Sequence, residues 1–169
     1  MKLNLFFVLG ALFFLSAGCA GLKKEQAVAS YSFDGKVLDQ ERLKSGGKIY
    51  LVPFSADVGV EASETLDEAA LMLIKGVYEE LSSTKTSLEV LTSEHGISPD
   101  FIVRGHFVKI AGSQKKPIVS IEGEVVERTT GKVLIHFSDE KAGAGPDDHR
   151  ALGYEIGKDV GRFILSAVH

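Results

Sequence analysis

The segment Leu66-Asp67-Glu68-Ala69-Ala70-Leu71-Met72-Leu73-Ile74-Lys75-Gly76-Val77-Tyr78-Glu79-Glu80-Leu81 decides the fold of this chain. Leu66, Ala69, Ala70, Leu73, Ile74, Val77, Tyr78 and Leu81 recur at the spacing that lines one side of a helix, so an amphipathic helix is predicted over about 66–81. Thr65 stands three residues before Glu68, the spacing of a capping box. On the N-terminal side, Ile49-Tyr50-Leu51-Val52 is an almost continuous apolar run, the pattern of a strand covered on both faces, and Pro53 ends its hydrogen bonding. On the C-terminal side, Leu88 to Leu91 forms a second apolar run. Strand, helix and strand together make a β-α-β unit, whose crossover should be right-handed.

The second half has a different period. Phe101 to Ile110, Ile118 to Glu127 and Val133 to Phe137 are consecutive strand candidates, separated by a Gly/Ser/Lys loop at 112–116 and by Thr129-Thr130-Gly131. Val119, Ile121 and Val125 alternate with Ser120, Glu122 and Glu124, and Val133, Ile135 and Phe137 alternate likewise; this is an antiparallel meander with one face in water. Asp147 or Asp148 then caps a final helix running to about Val168. The expected fold class is therefore α/β: one β-α-β unit, an antiparallel β-meander and a C-terminal helix, with the helices on a mixed sheet.

Glycine recurs in that last helix at Gly153, Gly157 and Gly161, every fourth residue along one face. A helical glycine costs about 1 kcal/mol relative to alanine, so three aligned copies imply close packing, against the chain's own sheet or first helix or against another subunit.

The first residues have the parts of an export signal. Lys2 supplies a positive charge, Leu5 to Leu15 an apolar stretch too short to span a bilayer, and Ser16-Ala17-Gly18 small residues ahead of Cys19. The chain divides accordingly into a signal at 1–18, a tether at 19–29 and one α/β domain at 30–169. Within that domain, Tyr31, Phe33 and Val37 alternate with Ser32, Asp34 and Lys36 as in an edge strand. With Lys2 removed, 18 of the 19 basic residues face 23 acidic ones, and there is no long basic run. Nucleic acid is not an expected partner. A single cysteine rules out an internal disulfide and a multi-cysteine metal cluster.

Catalytic constellations are not legible. The histidines, His95, His106, His136, His149 and His169, lack the close pairing of a zinc site, although His106 and His136 could approach each other if their strands share the wet face. Asp147-Asp148-His149 reads as a helix start. No Gly-x-Ser-x-Gly turn offers a nucleophile, and Lys44-Ser45-Gly46-Gly47-Lys48 precedes a strand, whereas a phosphate loop follows one. Lys115-Lys116 reads as a solvated hairpin tip. Neither a cofactor nor a metal is expected, and the chain is read as not an enzyme.

Leu15-Ser16-Ala17-Gly18-Cys19 resembles the lipobox of bacterial lipoproteins. That resemblance implies cleavage between Gly18 and Cys19 and acylation of Cys19, with palmitate-type chains anchoring the protein. Ala20 stands where an aspartate would resemble an inner-membrane retention signal, which points to the outer membrane, facing the periplasm. Lys48-Ile49-Tyr50-Leu51-Val52-Pro53-Phe54, Asp100-Phe101-Ile102-Val103-Arg104-Gly105 and Thr130-Gly131-Lys132 resemble motifs of small envelope lipoproteins related to the curli-secretion lipoprotein and the TolB N-terminal domain. The resemblance covers about residues 45–168 and implies a non-catalytic interaction or assembly module with an envelope protein partner, or as a homo-oligomer. The alternatives are a subunit of an oligomeric secretion channel, and a small ligand-binding protein or enzyme using His106, His136 or the Asp147 loop.

Overall fold

A computed structural model describes residues 29–30, 33–61, 63–91, 98–111, 116–143 and 148–169. In chain order the elements are β1 (Ala29–Ser30), β2 (Asp34–Val37), α1 (Gln40–Lys44), β3 (Gly47–Leu51), β4 (Ser55–Ala56), α2 (Glu64–Ser83), β5 (Leu88–Leu91), β6 (Phe101–Ala111), β7 (Ile118–Glu127), β8 (Val133–Ala142) and α3 (Asp148–Val168). They form one mixed sheet in the order β1-β8-β7-β6-β3-β5, with β2 also pairing β8 and β4 also pairing β6. β3 runs parallel to β5 and β6, and β6, β7 and β8 form the antiparallel meander. The α/β class and its order of elements agree with the sequence pattern.

The boundaries differ in instructive places. Ser63, not Thr65, caps α2: its backbone is extended and its hydroxyl accepts from the Leu66 N–H at 3.2 Å, which puts Thr65 inside the first turn. β1 begins at Ala29, one residue inside the stretch expected to be tether. β3 is covered on one face only. Ile49 and Leu51 are buried, while Tyr50 and Val52 are half-buried, because every long helix lies on the same side of the sheet. β8 continues past Phe137 to Ala142, five residues beyond its apolar alternation.

The core lies between the sheet and the α2–α3 layer. Phe101, Val103 and Phe107 of β6, Val119, Ile121 and Val125 of β7, and Ile135 and Phe137 of β8 meet Ala69, Leu73 and Val77 of α2 and Ile156, Val160 and Ile164 of α3. Burial of the 26 side chains of this cluster, most worth on the order of 2 kcal/mol, dominates the stabilisation. Asp100 locks the start of the sheet: its carboxylate accepts from the Lys48 N–H at 2.8 Å, its own N–H donates to Lys48 O at 2.8 Å, and its carbonyl accepts from the Arg128 N–H at 2.9 Å. The Asp100-to-Gly105 motif therefore joins β3, β6 and β7. At the β7–β8 turn Gly131 takes φ +69°, a left-handed conformation that a side chain disfavours.

Candidate functional site

Both long helices lie on one side, and among the described residues no element covers the opposite face of the meander, whose outward residues are polar. Register aligns them into cross-strand rows. Arg104 of β6 stands opposite Glu124 of β7, which stands opposite His136 of β8, which stands opposite Lys36 of β2. The next row runs Ser55, His106, Glu122, Ser138 and Asp34. In the first row Arg104 contacts Glu124 through Nε at 2.8 Å and a terminal nitrogen at 2.6 Å. Exposed pairs of this kind contribute at most about 1 kcal/mol each, enough to fix side-chain positions.

A groove of about 510 Å³ crosses these rows, bounded by Val52, Pro53, Ser55, Arg104, His106 and His136. It opens where the chain breaks between β3 and β4: Pro53 ends the first pairing with β6, Phe54 turns into the core, and pairing resumes at Ser55 opposite His106. His106 Nε2 lies 3.8 Å from an Asp57 oxygen and 4.0 Å from a Glu122 oxygen, and His136 Nδ1 lies 4.0 Å from Glu124. The two histidines do share the wet face, but they are separated by β7 and offset by one row, with Glu122 and Glu124 between them. Two strand spacings of about 4.8 Å and one repeat of about 7 Å put their Cα atoms roughly 12 Å apart. Among the described residues, no three His, Cys, Asp or Glu side chains converge as a metal set.

The other sequence candidates fall elsewhere. Gly46, Gly47 and Lys48 use their backbone N–H groups internally, on Leu43 O, Ser87 O and the Asp100 carboxylate, so that loop offers no cradle. His149 Nε2 lies 3.4 Å from Ala111 O, at the start of α3. Lys116 and His169 are exposed. Gly18, Cys19, His95, Lys115 and Asp147 lie outside the described residues.

The glycine face of α3 meets α2. A Cβ on Gly153 would stand 2.5 Å from Ala69 O, on Gly157 2.1 Å from Leu73 O, and on Gly161 2.6 Å from the Glu80 side chain. The residue numbers rise together on the two helices, so α2 and α3 run parallel. Gly76 of α2 answers from the other side, where a Cβ would come within 2.4 Å of Tyr154 O. The seam leaves no room on that face for a second subunit.

Sequence reasoning missed two features. The first is an apolar strip on the flank of α2: Leu71 is 69% exposed and Tyr78 40% exposed, and with Ile74, Lys75, Leu51 and Leu91 they line a hollow of about 250 Å³ beside β5, the sheet's outer strand. The expected stripe grades outward: Leu66, Ala69, Leu73, Val77 and Leu81 are buried, Ala70 and Ile74 pack against the core half-buried, and Tyr78 is exposed. The second is a buried charge cluster. The Asp139 side chain is fully buried, and neither of its oxygens completes a hydrogen bond among the described residues; Lys141 Nζ is 3.8 Å away and also contacts Asp159 of α3. Burial pushes the Asp139 carboxyl up to about 6, with Asp159 adding to the rise and Lys141 and the nearby Glu140 N–H opposing it.

No helix among the described residues is long and apolar enough to cross a membrane. No protein-family model and no curated protein matches the sequence. Solved structures do match in shape. A PelC dodecamer from Paraburkholderia phytofirmans superimposes with a TM-score of 0.54 at 10% identity, covering 81% of this chain and 96% of that one. A point variant of the same PelC, also a dodecamer, gives 0.54 at 11%, covering 81% and 95%. A candidate lipoprotein from Caulobacter crescentus gives 0.48 at 8%, covering 76% and 94%. This chain shares the fold of the PelC protomer.

Proposed function

We propose that this chain is a non-catalytic assembly module of the bacterial envelope, anchored through acyl chains on Cys19 to the periplasmic side of the outer membrane, and that it works by self-association. The observation that carries this reading is the α2 flank. A leucine 69% exposed beside Tyr78 and Ile74, along the outer strand of a sheet, is the type of apolar surface that proteins cover with a partner. The shared fold with a protein that forms dodecamers supports a homo-oligomer as that partner. The lipobox-like Leu15–Cys19 segment supports the anchor, since two or more acyl chains hold a protein stably at a bilayer.

Sedimentation of the acyl-free chain from residue 20 onward tests the assembly, with Leu71→Asp as the comparison. Wild type should sediment as a multiple of the protomer and the variant as a monomer, with unchanged circular dichroism. If wild type stays monomeric at high concentration, and photocrosslinking from position 71 in cells captures no second copy, the reading fails. Intact-mass analysis of the exported protein tests the anchor separately, since acylation of Cys19 adds a defined mass.

A further inference from the structure

We infer that the α2 strip is covered by the same strip of a second copy, with the two helices antiparallel about a twofold axis between Ile74 and Lys75. The inference rests on the self-association of the preceding section and adds to it the surface and orientation of the partner. α2 turns Ala69, Leu73 and Gly76 toward α3. On its opposite side Glu64, Asp67, Leu71, Lys75, Tyr78 and Ser82 are all exposed. At about 100° per residue, these six lie within about 40° of Leu71 and so form one line along the helix. Ile74 borders that line, half-buried. Lys85 is exposed just past the end of α2, beyond the extended cap residue Thr84.

The order of charges along this line selects the arrangement. Acidic Glu64 and Asp67 stand at its start and basic Lys85 past its end, with Leu71 and Tyr78 between them. Two copies laid parallel would set Glu64 on Glu64, Asp67 on Asp67 and Lys75 on Lys75, and like charges so placed repel. Laid antiparallel about the axis, Glu64 faces Lys85, Asp67 faces Ser82 and Leu71 faces Tyr78, and the twofold makes each pair occur twice. Lys75 is already held 3.8 Å from Glu79 of its own helix, so its stem can cover the second copy's Ile74 while its charge stays at the rim. The two Leu71 and two Tyr78 side chains then cover the hollows beside Leu91, and the charge pairs at either end fix the register.

The full chain purified in detergent tests this. Asp67→Cys and Ser82→Cys in one chain should give a covalent dimer on oxidation, with no higher multiples. Either substitution alone should give no more product than the wild type with its one cysteine, because two copies of the same position stand roughly 22 Å apart across the axis. Glu64→Lys and Lys85→Glu should each weaken association roughly tenfold in sedimentation, and the two together should return it to within about twofold of wild type. The combined variant carries the same change at the start of α2 as Glu64→Lys, so its recovery separates the contact from any loss of helix stability. Crosslinking by either cysteine alone overturns the arrangement, as does a ladder of multiples or no product from the pair, or a combined charge reversal that stays weak. Those outcomes, with a wild type that still sediments as a multiple of the protomer, discard the antiparallel contact and keep self-association, whereas a monomeric wild type discards both.

Discussion

Asp139→Asn should make the protein more stable at neutral pH, although it removes a charge that lies beside a lysine. Asp139 points from β8 into the layer below α3, where Ile121 stands opposite it on β7. The charged groups facing it are Lys141 on its own strand and Asp159 on α3, which is itself engaged by Lys141 and Arg162. Burial holds the folded-state carboxyl at about 6, against an ordinary value of 3.8. A group whose folded value is raised stabilises fully below the unfolded value and loses that contribution as pH climbs through the folded one. From about pH 3 to pH 7, Asp139 therefore withdraws about 3 kcal/mol, at about 1.36 kcal/mol per pKa unit. Asparagine does not ionise, but its amide still lacks partners, at a cost of about 1–3 kcal/mol at every pH. The net expectation is a variant up to about 2 kcal/mol more stable at pH 7.5, or up to roughly 6 °C in Tm, and equal to or below wild type at pH 4.5. Thermal unfolding of both proteins by circular dichroism across that range reads the difference directly. A difference independent of pH would refute the reasoning. So would a variant that loses ground as pH rises, because Asp139 and Lys141 would then form a net stabilising ion pair.

Gly157→Ala should lower Tm: the added methyl meets Leu73 O at 2.1 Å and must force the helices apart, which outweighs the gain of about 1 kcal/mol in helix propensity and leaves a loss of about 1–2 kcal/mol. A rise in Tm would show that the seam is loose. Asp100→Ala should cost about 1–2 kcal/mol in urea unfolding, because the Lys48 N–H loses its acceptor, while Asp100→Asn, which retains an acceptor oxygen, should recover most of that. Ser63→Ala should cost about 1 kcal/mol and Thr65→Ala nearly nothing; the reverse ranking would move the start of α2.

Periodicity revealed the elements that carry enough repeats to define it. β5 has the bounds of its apolar run and β7 those of its alternation, and α2 differs mainly at its ends. What stayed hidden was set by neighbours. β8 runs on through Asp139 and Lys141, which keep the inward phase of Ile135 and Phe137 but not their polarity, so the apolar pattern stops while the ladder continues. β4 has two residues, and α1 buries only Leu43, too little to generate a period. The glycines of α3 announce a close approach in sequence, but Ala69 and Leu73 as the surfaces approached become known only once the two helices are laid side by side. His106 and His136 alternate as strand residues should; that Glu122 and Glu124 separate them follows from register, which no local pattern encodes.

The same gap between pattern and neighbourhood explains why the surfaces of interest are not clefts. Among the described residues, two parallel helices in contact through glycine, with the short α1, cover one sheet face. Close contact holds α2 against α3 on one flank and leaves Leu71 and Tyr78 exposed on the other, beside β5. Substituting larger residues along the seam would widen the layer and displace α2 over β5, changing the shape of the strip at the expense of the packing beneath it. The glycines that give nothing to a partner directly thereby decide how much apolar surface α2 presents to one. A second-site test follows from that coupling: Gly157→Ala should weaken self-association as well as stability, although residue 157 lies on the far side of α2 from the strip. Unchanged association in the folded variant would separate the seam from the strip and leave Leu71 exposed for a reason other than helix spacing.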